Sequence, residues 1–363
     1  MKRALKIGKV FNTKIEIHWT FLLLIAYVAW STYNAGGNLN EIVLQIAFVL
    51  SIFVCVILHE LGHVRAAYHF GIPTKKVTLL PIGGVAQIER MPEKPKEELI
   101  VAIAGPLVNV AIALILFIVF PITDMYNAAY AENSTSISYT TFPLYLFSAN
   151  VVLFLFNLIP AFPMDGGRIL RSILAMKMSR MKATKIASIT GQCFAVIFFV
   201  LGLMNNPFFA LIAVFIFFGA RSENYTVQSQ ELLNGYEVQD AMMTNYLVLS
   251  PEETIDSAIR KMVSGPDIDL LVIEDNKVQG IVTREKLISK SKERNSYEIL
   301  VRDIMSKNFR VLEEHNKLSD TYLMLQRTKN RLFPVLRNKE LAGVINLEKI
   351  QHFIMMKAKG FQY

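Results

Sequence analysis

Over its first 220 positions the chain alternates long apolar runs with short polar connections. Six runs read as helices, at about 18–34, 41–62, 97–120, 143–162, 184–204 and 207–220. A helix crosses a bilayer core with about 20 consecutive apolar residues, so all but the short last run approach spanning length. Two stretches follow a period of two instead. Lys6 to Ile17 alternates about Asn12-Thr13 and predicts a hairpin, and Val77 to Ile88 sets Pro81 and Gly83-Gly84 between strand-compatible residues. Extended backbone at a membrane must be paired, buried or lining a watery cavity, so both stretches are expected beside a site that admits water.

From about Ser222 the long apolar runs stop, and 222–235 reads as a linker. Beyond it the same order of elements occurs twice, at about 236–290 and 298–355. Val238-Gln239-Asp240-Ala241-Met242 is matched by Val301-Arg302-Asp303-Ile304-Met305, and Gly280-Ile281-Val282-Thr283 by Gly343-Val344-Ile345-Asn346. Helices are expected over Thr254 to Val263 and Leu318 to Thr328. Such a repeat predicts two halves of one α/β unit packed on each other. The organisation is therefore a membrane domain over 1–221, a linker over 222–235 and a soluble domain over 236–363.

Charge refines this reading. Lys2, Arg3, Lys6, Lys9 and Lys14 precede the first run, and Arg65, Lys75, Lys76, Arg90, Lys94 and Lys96 follow the second. Arg168, Arg171, Lys177, Arg180, Lys182 and Lys185 follow the fourth, while the intervening connections carry no Lys or Arg. By the positive-inside rule both termini are cytoplasmic, and the second and fourth helices end on the cytoplasmic side. The formal net charge of +8 is thus a matter of topology and implies no nucleic-acid partner. With 53% apolar residues the chain reads as a multi-pass protein of the cytoplasmic membrane in contact with lipid. The first run has no small-residue cleavage site after it and is read as a retained helix. Cys55 and Cys193 lie inside apolar runs, so no disulfide framework is expected.

Against that apolar background His59-Glu60-Leu61-Gly62-His63 stands out. Residues four apart share a helix face, so the two imidazoles can bind one Zn²⁺ while Glu60 projects beside it as general base. Ionisable groups at membrane depth cost about 2.5 to 3.5 kcal/mol each on insertion scales, which marks such a helix as functional. A hydrolytic zinc needs three protein ligands and an open position. Asp165, in the Asp165-Gly166-Gly167 turn at the cytoplasmic end of the fourth helix, is the natural third. A zinc-holding scaffold or transporter without hydrolysis is the rival reading of the same residues.

His59-Glu60-x-x-His63, the six apolar runs and Asn157-x-x-Pro160-x-x-Pro163-x-Asp165-Gly166-Gly167 together resemble the site-2 protease family of intramembrane zinc metalloproteases, over about residues 1–220. The repeat resembles a tandem pair of CBS domains. The expected fold class is a polytopic α-helical membrane protein, with six transmembrane helices and short membrane-associated β elements, plus a soluble α/β tandem CBS domain. The resemblance implies His59, His63 and Asp165 as ligands of one catalytic Zn²⁺, and Glu60 as the catalytic glutamate. It implies Asn109, in Gly105-Pro106-Leu107-Val108-Asn109, and Asn157 as groups that orient substrate or steady an oxyanion. Gly83 and Gly84 fall in a membrane-associated loop next to the substrate. The implied substrate is a membrane-spanning regulatory protein such as an anti-sigma or pro-sigma factor, with the CBS pair modulating cleavage. CBS pairs also imply an adenosine nucleotide ligand, here at Thr283, Lys286, Asn346 and Lys349, and homodimers. Lys286 and Lys349 stand where an acidic residue usually meets the ribose.

Overall fold

The computed structural model describes residues 4–10, 13–81, 83–88, 92, 94–131, 137–264, 269–275, 277–292, 298–328 and 331–359. It divides into two compact units, Met1–Asn224 and Tyr225–Tyr363.

In the first unit β1 (Ala4–Val10) and β2 (Thr13–His18) form the expected antiparallel hairpin, whose tip, with Asn12, lies outside the described residues. β3 (Thr74–Leu80) runs parallel to β2 and antiparallel to β4 (Gly83–Ile88), giving a four-stranded sheet in the order β1-β2-β3-β4. Two side-chain contacts staple β2 to β3. The Thr13 hydroxyl donates to the Thr74 carbonyl at 3.1 Å, and Lys76 pairs with Glu16 at 3.0 Å. Both predicted extended stretches are therefore strands, and β4 is an edge.

Eight helices complete this part of the chain: α1 (Phe21–Asn34), α2 (Leu39–His69), α3 (Pro95–Val119), α4 (Ile122–Ala131), α5 (Phe142–Leu158), α6 (Asp165–Ala175), α7 (Arg180–Asn205) and α8 (Pro207–Leu232). Each of the six apolar runs falls largely on a helix. Among the described residues, α2, α3 and Arg180–Met204 of α7 are long and apolar enough to cross a membrane, and α1 and α5 are shorter apolar helices. The 31 residues of α2 make a rod of about 46 Å. Its start is fixed by Asn38, whose side chain accepts the Glu41 N–H at 3.0 Å.

Three expectations are corrected. The run 143–162 is not one helix, because α5 stops at Leu158. Pro160 and Pro163 disfavour helical backbone at the residues before them and supply no N–H, so the chain turns and restarts. The turn is tight: a Cβ on Gly167 would lie 2.6 Å from the Phe162 nitrogen, and one on Gly166 would strike the Leu158 and Ile159 carbonyls. Asp165 accordingly opens α6 instead of closing the preceding helix. Second, the expected linker 222–235 is helical through Leu232, since it holds no Pro and no Gly before Gly235, which ends it at φ +85°. Third, Arg168 and Arg171, counted above as loop charges, lie in α6, and Arg171 is fully buried.

The second unit shows the repeat directly. After a 3₁₀ turn at Val238–Asp240 come β5 (Val248–Leu249), α9 (Ile255–Ser264), β6 (Asp269–Glu274), β7 (Lys277–Thr283) and α10 (Arg284–Ser291). Then follow α11 (Val301–Ile304), β8 (Leu312–Glu313), α12 (Leu318–Arg327), β9 (Leu332–Arg337), β10 (Glu340–Asn346) and α13 (Leu347–Ala358). In each half a short strand pairs parallel with a longer one, which pairs antiparallel with the next. The halves exchange contacts. A Cβ on Gly343 would lie 3.0 Å from Met242 Sδ, and one on Gly280 would lie 2.9 Å from Met305 Sδ, so each repeat's glycine receives the other's methionine. Leu271, Ile281, Leu332 and Val344 form a shared core between them.

Asp269 opens β6 opposite Thr283 and is buried. One carboxylate oxygen accepts the Arg284 N–H at 3.1 Å, and the other has no hydrogen-bond partner among the described residues. Burial pushes this carboxyl up, against the pull of the Arg284 hydrogen bond. The native state therefore holds the proton longer than the unfolded chain, and stability falls as pH rises from the unfolded value through the folded one. Asp269→Asn is expected to raise the thermal midpoint of this unit near pH 7, with the gain closing below about pH 4. Identical melting curves for the two proteins at pH 7 would reject the assignment.

Candidate metal centre

His59 and His63 lie one turn apart on α2, both buried against α3. Glycines make the approach possible. A Cβ on Gly62 would lie 2.7 Å from the Ala104 carbonyl oxygen and 2.8 Å from Val108 Cγ2. One on Gly105 would overlap the His63 ring and come within 2.8 Å of His59 Nε2. The two imidazoles therefore occupy the volume of the missing Gly105 side chain.

Their outward nitrogens are held by acceptors. His63 Nδ1 lies 2.7 Å from the Val101 carbonyl, an oxygen that can only accept, so the ring proton sits on Nδ1. His59 Nδ1 lies 2.5 Å from Asn109 Oδ1. Asn109 Nδ2 donates to Asn150 Oδ1 at 3.1 Å, which turns the Asn109 oxygen toward His59 and puts that ring proton on Nδ1 as well. Asn150 Nδ2 in turn donates to the Leu146 carbonyl at 2.9 Å and contacts Cys55 Sγ at 3.4 Å. Cys55 thus ends a hydrogen-bonded chain and is no member of the cluster.

Both Nε2 atoms consequently present bare lone pairs, 3.1 Å from each other. Asp165 Oδ2 lies 3.1 Å from His59 Nε2 and 3.2 Å from His63 Nε2. Three lone-pair atoms at such spacing can close on one cation. Tetrahedral zinc with bonds of about 2.0 to 2.1 Å sets its ligand atoms about 3.3 Å apart, so this donor set fits that ion. Among the described residues His59, His63 and Asp165 are the one such group of potential ligands.

Residues 47–201 match the sequence model of peptidase family M50, and residues 238–293 and 301–355 each match that of the CBS domain. A zinc metalloprotease of Methanocaldococcus jannaschii is 34% identical over 350 residues, covering 95% of this chain and 94% of that protein. The chain belongs to peptidase family M50, the site-2 protease family. Stage IV sporulation protein FB of Bacillus subtilis is 28% identical over 65% of this chain and 76% of its own. The solved structure of the site-2 protease from Methanocaldococcus jannaschii is 36% identical, covers 61% of this chain and 95% of that one, and has a TM-score of 0.46. As a site-2 protease family member with two CBS domains, the protein is a zinc metalloprotease of the membrane.

The remaining predicted residues fall as follows. Glu60 is half-buried beside the cluster and has no hydrogen-bond partner among the described residues. Gly84 lies over it, for a Cβ there would sit 2.8 Å from Glu60 Cγ, and Gly83 begins the same edge strand. Asn157 is half-buried on the last turn of α5, its amide unpaired among the described residues. The buried Asn109 amide contacts His59 at its oxygen and Asn150 at its nitrogen. In the CBS pair Thr283 and Asn346 are the N-caps of α10 and α13, with Lys286 and Lys349 exposed one turn on. The Asn346 side chain accepts the Lys349 N–H at 2.7 Å.

Sequence reasoning missed Asn150, although an amide inside an apolar run was the available signal. It also missed the Val101 carbonyl, which carries no signal at all. Groups that orient metal-binding histidines are typically worth about 10–100-fold in metal affinity. Asn150→Leu is accordingly expected to weaken zinc binding by that factor in competition with a chelator. Gly105→Ala should yield protein without stoichiometric zinc by elemental analysis, and full zinc content in that variant would contradict the packing described here.

Proposed function

We propose that this M50 protein is an intramembrane protease that hydrolyses a peptide bond in or near a membrane-spanning segment of a regulatory protein, such as an anti-sigma or pro-sigma factor. The observation that carries the reading is the convergence of His59 Nε2, His63 Nε2 and Asp165 Oδ2 within 3.2 Å of one another. Those three side chains are the proposed zinc ligands. Bound there, zinc supplies Lewis acidity, which makes water acidic near neutral pH and polarises a carbonyl.

The protein's own residues perform the rest. Glu60, in the turn of α2 between the two histidines, takes the proton of the attacking water and returns it to the leaving nitrogen. Asn109 and Asn150 hold the His59 ring in one tautomer, and the Val101 carbonyl does the same for His63. Asn157 is the proposed amide that hydrogen-bonds the substrate main chain or the developing oxyanion. A helical amide is closed off by its own hydrogen bonds, so the substrate must unwind. The edge strand β4, which begins at Gly83 and carries Gly84 over Glu60, offers an unwound stretch backbone pairing.

The wider reading has six membrane spans in the cytoplasmic membrane, both termini cytoplasmic, and the CBS pair on that side modulating cleavage. Alternating loop charge and the two CBS matches support it. An adenosine nucleotide is the proposed CBS ligand, contacted at Thr283, Lys286, Asn346 and Lys349, and homodimerisation through the pair belongs to the same reading. A ligand modulates only if it binds two states unequally, so cleavage by the full chain should change as AMP or ATP is titrated.

Glu60→Gln is the direct test of the chemistry. It should lower the rate of cleavage of a reconstituted membrane substrate by about 10²–10⁴-fold while leaving zinc content unchanged. Undiminished cleavage by this variant would remove Glu60 from the reaction.

A further inference from the structure

α6 begins on Asp165 and is only 11 residues long, yet it holds Asp165 Oδ2 at hydrogen-bond distance from two imidazoles on another helix. A short helix has few contacts with which to fix its own position. Arg171, two turns along it, supplies an anchor on three sides. Nε donates to Glu98 Oε1 on α3 at 2.9 Å, Nη2 donates to the same oxygen, and Nη1 donates to Glu223 Oε1 on α8 at 2.6 Å. The guanidinium carbon lies 5.0 Å from the centre of the Phe162 ring, in the turn that delivers Asp165. Arg180, at the start of α7, reaches the other Glu98 oxygen at 3.7 Å.

We propose that Arg171 is a positioning residue for the metal centre: by gripping Glu98 and Glu223 it sets how far Asp165 reaches toward His59 and His63. The proposal rests on the reading of those three residues as zinc ligands. α3 is the helix whose Val101 carbonyl, Gly105 and Asn109 frame the histidines. The Arg171–Glu98 pair therefore locks the ligand on α6 to the frame of the other two. Stability alone accounts poorly for this cluster, since burying charges costs desolvation that their attraction barely offsets. Geometry accounts for it better. The planar guanidinium presents a fixed fork to two carboxylates, which an ammonium group on a flexible stem cannot reproduce.

The two carboxylates are unequal. The Glu98 side chain is 2% exposed and that of Glu223 is 34%, so Glu223 can be neutralised without stranding a dry charge. This gives a graded test on the full-length protein in detergent, loaded with Co²⁺ so that its visible absorption reports the ligand geometry. Arg171→Lys keeps the charge but loses the fork. It is expected to remain folded while Co²⁺ affinity falls about 10–100-fold and the visible band changes shape. Glu223→Gln should change the band in the same direction with a smaller loss of affinity, and Arg171→Met should give the largest loss. If Arg171→Met fails to fold, the other two variants decide the matter. Wild-type Co²⁺ affinity and spectrum in both Arg171→Lys and Glu223→Gln overturn the positioning role. A wild-type protein that binds no Co²⁺ overturns the ligand assignment beneath it, which separates the two failures.

Discussion

Two imidazole nitrogens and a carboxylate oxygen within 3.2 Å of one another repel unless a cation lies among them, and most of the membrane unit is arranged to keep them there. The cost of that convergence is met locally. Gly62 and Gly105 let α2 and α3 close up, the Val101 carbonyl and Asn109 direct the ring protons outward, and the Pro160–Gly167 turn carries Asp165 across from α5. None of these groups is itself a ligand. Each removes one way in which the three donor atoms could move apart.

The same logic explains what could be read in the sequence. The His59–His63 pair was legible because four-residue spacing on a helix is a local pattern, and Asp165 because its Asp-Gly-Gly turn follows the fourth apolar run. The hairpin and the β3–β4 pair were legible from alternation and from Pro81 with its glycines. Helix ends were less so, since α5 stops where two prolines act together and α8 continues through polar residues that resemble a linker. Arg171 was hidden for a different reason. Its partners stand 73 and 52 positions away, and a basic residue between apolar runs looks like an ordinary topology signal. The contact of Asn109 with His59 was hidden too, because sequence shows that an amide is present and not which way it faces.

In the CBS pair the repeat was legible as matched segments, but the reciprocal placing of Met242 on Gly343 and Met305 on Gly280 was not. Each half supplies the surface that completes the other, so neither repeat presents a finished core by itself. Asp269 is an exception inside that consistency, a buried carboxylate with one oxygen unpartnered. Local rules are commonly broken where a protein binds something.

The uncharged stretch of α2 from Ile42 to Leu58 is about 25 Å long at 1.5 Å per residue, close to the roughly 30 Å of a bilayer's hydrocarbon core. His59 is the first residue after it. The helix thus completes its apolar length before it presents an ionisable side chain, and the groups that need a cation gather at one end of a rod whose remainder needs none.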